Sequence, residues 1–141
     1  MKFALILLIA LLSAALTGCD SGMPAAGTPA ASPTGESAPD DAAARAVETY
    51  LTAKIAGDET TVRALLCSDM EADLPREVTA FSTVTDARID DMACTVNAGG
   101  ATVTCTGAIV ATYGLQDETF PLSTYRVVQE DGEWKWCGEG E

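Results

Sequence analysis

Histidine is absent from all 141 residues. That removes the side chain that titrates nearest neutral pH and the commonest nitrogen ligand for metals. It also excludes every Ser-His-Asp triad. Any acid–base chemistry would fall to carboxylates, tyrosine or lysine. Cations are scarce: 8 Lys plus Arg stand against 21 Asp plus Glu, for a formal net charge of −13. A polyanion gathers the counterions that a nucleic-acid or anionic-lipid binder must release, so no nucleic-acid partner is expected. Solubility and self-repulsion account for the acidity without a dedicated cation site. Aromatic residues make up only 6% of the chain, so each is a candidate for core or pocket. A hydrophobic run of spanning length is missing too. Phe3 to Leu16 falls short of the roughly 20 apolar residues that a transmembrane helix needs.

That same run fits the core of a signal peptide, after the positive start at Lys2. It ends in Leu16-Thr17-Gly18-Cys19. Leu-Thr-Gly-Cys matches the lipobox, and the N-terminal segment resembles bacterial lipoproteins. The resemblance implies that residues 1–18 are cleaved as a signal peptide. It implies that the Cys19 thiol carries a diacylglycerol, a palmitate-type lipid, as the membrane anchor. The domain would then face outside the cytoplasm, held at the cell membrane or outer membrane. Asp20 is read differently in different bacteria, so the choice of membrane stays open. Loss of Lys2 leaves 7 cations (8 less 1) against 21 acids, a balance of −14.

With Cys19 assigned to lipid, four of the five cysteines remain: Cys67, Cys94, Cys105 and Cys137. An even number in a small exported domain reads as two disulfides. A zinc site would need close C-x-x-C pairs, which the spacings of 27, 11 and 32 do not provide. No metal and no cofactor are expected. Ala98-Gly99-Gly100-Ala101 reads as a hairpin turn. It sets Val96 opposite Val103 and Cys94 opposite Cys105, within disulfide reach. Counting along the ladder puts this pair at a hydrogen-bonded, wider site, so local twist is required. Cys67 is left to pair with Cys137.

Residues 19–40 form a tether rich in Pro, Ala, Gly and Ser, holding four of the six prolines. Such a segment buries too little to offset its ordering entropy. The folded unit is expected over 41–138, with 139–141 as a tail. Ala43, Val47, Tyr50, Leu51 and Lys54/Ile55 follow helical spacing, and Gly57 stops the helix. Asp58 caps a second helix with Val62, Leu65 and Leu66 inward. Ser68-Asp69-Met70-Glu71 reads as a capping box for a third helix, in which Pro75 starts a new turn or a kink. Phe81 and Val84 close the helical half. The period then becomes two. Strands are expected over 83–97, 101–113, 119–129 and 133–137, with a bulge or edge at Asp90-Asp91 and a loop over 114–118. Helices followed by an antiparallel meander make an α+β domain, its N-terminal helices packed on a curved sheet of about four strands.

The Gly57-Asp58 break between helices and the ending Tyr125 to Trp136 resemble the nuclear transport factor 2-like superfamily, in its small exported lipoprotein members of unassigned function. The ending carries the strand, the Asp131-Gly132 turn and Trp134-Lys135-Trp136. The resemblance implies a sheet curved around a long helix, forming a cone with an open mouth. That cone serves as enzyme pocket, ligand site, dimer surface or plain core in different relatives.

Candidate pocket residues are Tyr50, Phe81, Tyr113, Tyr125, Trp134 and Trp136. Trp134 and Trp136 share one face of the last strand, and core packing of Trp134 on the first helix is the favoured reading. Tyr50 is the tyrosine expected to present a hydroxyl inside the cone, where it needs a partner. Enzymatic relatives such as ketosteroid isomerase and the polyketide cyclases place an acid and a base in the cone. Asp86, Asp90 and Asp91 are the positions available here, but a charged strand edge that blocks edge pairing explains them better. No catalytic residue is assigned. Asp69, Glu71, Asp73 and Glu77 lack the spacing of a calcium loop and read as a solvated helix face. The sequence therefore points to a lipid-anchored, non-catalytic domain that binds a small apolar ligand or a protein. A structural envelope lipoprotein and a small isomerase or cyclase are the alternatives. A cone filled by Trp134, Trp136 and Phe81 favours the structural alternative; a buried, perturbed carboxylate near a tyrosine favours the enzyme.

Overall fold

A computed structural model describes residues 39–140. The expected signal peptide, Cys19 and the expected tether up to residue 38 lie outside the described residues. Helix α1 spans Pro39–Ala56, α2 Glu59–Leu65 and α3 Leu74–Thr79, with a 3-10 helix over Ser68–Asp73. Strands follow at β1 Asp86–Val96, β2 Thr102–Tyr113, β3 Gln116–Pro121, β4 Thr124–Glu130 and β5 Glu133–Glu139. No described helix is long and apolar enough to cross a membrane.

α1 buries Ala43, Val47, Tyr50, Leu51 and Ala53, the inward face of a 3-4 repeat. α2 starts where the Asp58 carboxylate accepts the Thr61 N–H at 3.2 Å and the Thr61 hydroxyl at 2.6 Å. The capping box expected at Ser68 does not form. Cys67 precedes the 3-10 helix without a side-chain cap. Ser68 instead donates its N–H and hydroxyl to Glu130, 62 residues away. Pro75 opens α3, where its missing N–H costs nothing.

The sheet is antiparallel and has five strands rather than about four. The expected 114–118 loop is mostly ladder: Tyr113 pairs with Gln116 across a two-residue turn. The expected 119–129 strand breaks after Pro121, so β3 pairs with the far half of β2 and β4 with its near half. The pairing register slips by one residue on both flanks of Gly107. Asp90 opposes Ala108 but Ala93 opposes Thr106, which makes a bulge at Asp91-Met92. On the other side Pro121 opposes Ala108 but Thr124 opposes Thr104. The sheet bends there, and its near half wraps α1. β5 runs on past Cys137 to Glu139, and the Gly140 N–H still donates to the Thr124 carbonyl, so the sheet extends into the expected tail at Glu139.

Cys94 opposes Cys105, their Cα atoms 4.1 Å apart. Cys67 and Cys137 form the second pair, with Cα atoms 5.2 Å apart. The first pair occupies a narrow, non-hydrogen-bonded site, not the wider kind. The Asn97 N–H bonds to the Thr102 carbonyl, so the alternation makes 94/105 a pair without mutual bonds. Both freed amides go elsewhere: Cys105 to the Ser123 carbonyl and Cys94 to the Glu48 carboxylate on α1.

Candidate functional site

The interior between α1 and the sheet is occupied by aromatic rings. Tyr50 from α1 is fully buried and Trp136 from β5 is 4% exposed. Their rings stack, with centroids 4.3 Å apart and planes 10° from parallel. Val47, Val103, Tyr125 and Val127 belong to the same buried cluster, and Trp134 packs half-buried against it. Lys54 lies one turn beyond Tyr50 on α1, its Nζ 5.7 Å from the Trp136 ring centroid.

A buried carboxylate closes this arrangement. Glu77 on α3 is 4% exposed. Its Oε2 accepts the Tyr50 hydroxyl at 2.8 Å and Lys54 Nζ at 2.6 Å. Its Oε1 accepts Arg76 Nη2 at 3.1 Å, and Arg76 also reaches Asp73 at 3.2 Å. Burial by itself would raise the Glu77 pKa, but the bonds from Lys54 and Tyr50 and the charge of Lys54 hold it below the usual carboxylate range. Burial, then the Glu77 carboxylate, push the Tyr50 hydroxyl far above an ordinary phenol. Glu77 is therefore ionised with its acceptor positions taken, and Tyr50 is a permanent donor. The group ties α1 to α3 and offers no vacant acceptor to a substrate proton.

Glu77 corrects the expectation of a solvated face for the Asp69–Glu77 stretch. Asp69 and Glu71 are exposed, but Glu77 follows buried Leu74 by three residues and shares its inward face. The signal was Lys54: a cation within the apolar stripe of α1 calls for a buried partner.

Of the other candidate pocket residues, Tyr125 and Trp134 join this cluster, whereas Phe81 and Tyr113 do not. Tyr125 is buried in the cluster, and its hydroxyl accepts the Ser123 N–H at 3.4 Å. Phe81 lines a separate open groove with Lys54, Ile55 and Val78. Trp134 lines another with Arg45, Leu65 and Glu133. Tyr113 sits at the far end of β2, 40% exposed. Asp86, Asp90 and Asp91 are exposed along β1, where Arg88 holds Asp90 at 3.2 Å and Asp91 takes the positive φ of the bulge. A groove of about 500 Å³ runs beside α1 between Glu48, Thr52, Asp58, Thr61 and Met92, but both its carboxylates are already bonded. Among the described residues no three His, Cys, Asp or Glu side chains come together to hold a metal ion.

No protein-family profile matches this chain, and no curated protein does. Among solved structures, it is similar to a five-substitution variant of the designed protein Rd1NTF2_05, at 14% identity and a TM-score of 0.51. The match covers 70% of this chain and 96% of that one. Helices packed on a bent antiparallel sheet, matched to that neighbour, give the described domain a nuclear transport factor 2-like fold.

Proposed function

We propose that this chain is a membrane-anchored, extracytoplasmic lipoprotein whose folded domain is a non-catalytic interaction module. The observation that carries the non-catalytic part is the saturated Glu77. Its fold places a carboxylate and a tyrosine side by side, as an isomerase-type site would, yet Lys54, Arg76 and Tyr50 occupy that carboxylate. A general base needs a free acceptor and a pKa near the working pH. Glu77 has neither. The stacked Tyr50 and Trp136 occupy the space that a small ligand would take in an open cone. That favours a protein partner on the outer surface over an apolar ligand inside. The anchor rests on Leu16-Thr17-Gly18-Cys19 after the apolar run, and the two cysteine pairs suit an oxidising compartment.

Intact-mass measurement on membrane fractions tests the anchor. The expected species begins at Cys19 and carries acyl mass, and Cys19→Ser loses it. A wild-type chain that starts at Met1 without acyl mass refutes the anchor. A panel of enolisable ketones and polyketide-like substrates tests the rest. Turnover that Tyr50→Phe removes while the circular dichroism spectrum is kept would establish an enzyme instead.

A further inference from the structure

We infer that β3 is a docking edge, at which a basic, extended segment of a partner protein adds as a further strand. This rests on the interaction reading above and names its surface. The other outer strands are covered in part. The Cys67 N–H donates to the Trp136 carbonyl along β5, and the Cys94 N–H of β1 is taken by Glu48 next to the bulge. Among the described residues, β3 pairs with β2 alone, and all six of its residues are exposed. The Leu122 N–H bonds to the Gly107 carbonyl, so the alternation directs the even-numbered residues of β3 toward β2. The N–H and C=O of Asp117 and Thr119, with the Pro121 carbonyl, therefore point outward.

The side chains around this edge are apolar and acidic. The three large apolar residues left exposed in the described domain all lie in the β2–β3 hairpin: Tyr113 at 40%, Leu115 at 101% and Phe120 at 40%. Phe120 opposes buried Ile109 and Glu118 opposes Ala111, so Phe120 and Glu118 stand on one face, two residues apart. A strand added to β3 would meet an apolar surface at Phe120 and a negative one at Glu118. Charge decides the occupant. Two copies of this edge paired antiparallel would crowd Asp117 and Glu118 against each other in a chain that already carries −13. A segment that carries a basic and an apolar residue two apart, on one face of the added strand, satisfies both positions, and main-chain bonds supply the rest.

The test uses isotope-labelled full chain in detergent and a short synthetic peptide of Lys-Thr-Val-Thr repeats, which sets lysine and valine two apart on one face. A peptide of Glu-Thr-Val-Thr repeats is the control. Amide exchange at Asp117 and Thr119 is expected to slow with the lysine peptide and not with the glutamate one. Thr119→Pro removes an outward N–H without touching the β2 ladder, as edge strands tolerate. It and Glu118→Lys are each expected to weaken binding about tenfold. Spectra of both variants away from the hairpin report that the fold is kept. Equal binding of both peptides, protection elsewhere, or indifference to Thr119→Pro would overturn the inference. So would dimerisation through the same amides without peptide. If β3 stays silent while the chain is acylated and inert toward the substrate panel, the docking edge alone fails. Turnover in that panel defeats the non-catalytic reading whatever β3 does.

Discussion

The ring of Tyr50 lies flat on that of Trp136, while its hydroxyl donates to Glu77 at 2.8 Å. One residue thus joins α1 to β5 through its face and to α3 through its tip. Removing Glu77 leaves Lys54 and Tyr50 without their acceptor in a mostly dry site. Glu77→Ala is expected to cost about 3 kcal/mol. For a domain of this size that lowers the thermal midpoint by roughly 12 °C or more. Tyr50→Phe keeps the stack and loses one bond, so about 1 kcal/mol is expected. Thermal unfolding by circular dichroism measures both, and a Glu77→Ala midpoint equal to wild type would show that the group does not hold α3.

The same group shapes the dependence of stability on pH. Glu77 has a folded pKa below its unfolded value, so its contribution is present above about 4.5 and is lost as pH falls through the lower folded value. Tyr50 has a folded pKa above its unfolded value of 10.0, so its contribution is present below that pH and is lost as pH rises beyond it. Asp58, lowered by its bonds from Thr61, and Glu133, lowered by Lys135, add to the acid limb from the surface. Urea midpoints should form a plateau with losses on both sides. In Glu77→Gln the acid loss should be shallower than in wild type, and in Tyr50→Phe the alkaline loss should be. Unchanged slopes would assign those limbs to other groups.

Much of this architecture is written locally. The stripe from Ala43 to Lys54 and the Asp58 cap each follow from spacing and side-chain chemistry over a few residues. The Gly99-Gly100 turn also sets the register that brings Cys94 to Cys105. What the sequence hid is non-local. Ser68 has the local signature of a cap, but Glu130 from β4 takes its hydroxyl. Thr119 to Gln129 looks like one strand because its side chains do not announce the break after Pro121, which comes from the register slip against β2. Glu77 looks solvated beside Asp69 and Glu71 until α3 is docked on α1. The site is thus half legible: Tyr50 and Trp136 could be named as buried aromatics, but the carboxylate that binds them needed the tertiary contact.

Two disulfides of different reach make a graded prediction. Cys67–Cys137 closes a separation of 70 residues and ties the end of α2 to β5, next to the Cys67 N–H bond to Trp136. Cys94–Cys105 closes only 11. Loop entropy gives about 4 kcal/mol for the first and about 3 kcal/mol for the second. The paired substitution Cys67→Ser with Cys137→Ser is expected to lower the urea midpoint more than Cys94→Ser with Cys105→Ser. Peptide mapping without reduction checks the connectivity, and a linked Cys67–Cys94 or Cys67–Cys105 peptide would contradict the fold itself.

The bend at Gly107 makes the most specific prediction for the sheet. Gly107 has φ +99, a conformation that L side chains rarely adopt, and both strands beside it slip register there. A Cβ at this position would lie 2.5 Å from the Asp90 carbonyl oxygen and 2.7 Å from that of Asp91. Those atoms are backbone in the bulge and cannot swing aside as a side chain would. Gly99 has nearly the same φ, +97, yet nothing lies within 4 Å of the Cβ it would gain. Gly99→Ala thus incurs conformational strain alone, about 1 kcal/mol, whereas Gly107→Ala adds a backbone clash and should exceed about 3 kcal/mol. The difference between the two variants isolates the close approach of β1 to β2 at the bulge. Equal losses in urea unfolding would mean that β1 has room to move away, and that the bend does not depend on a residue without a side chain.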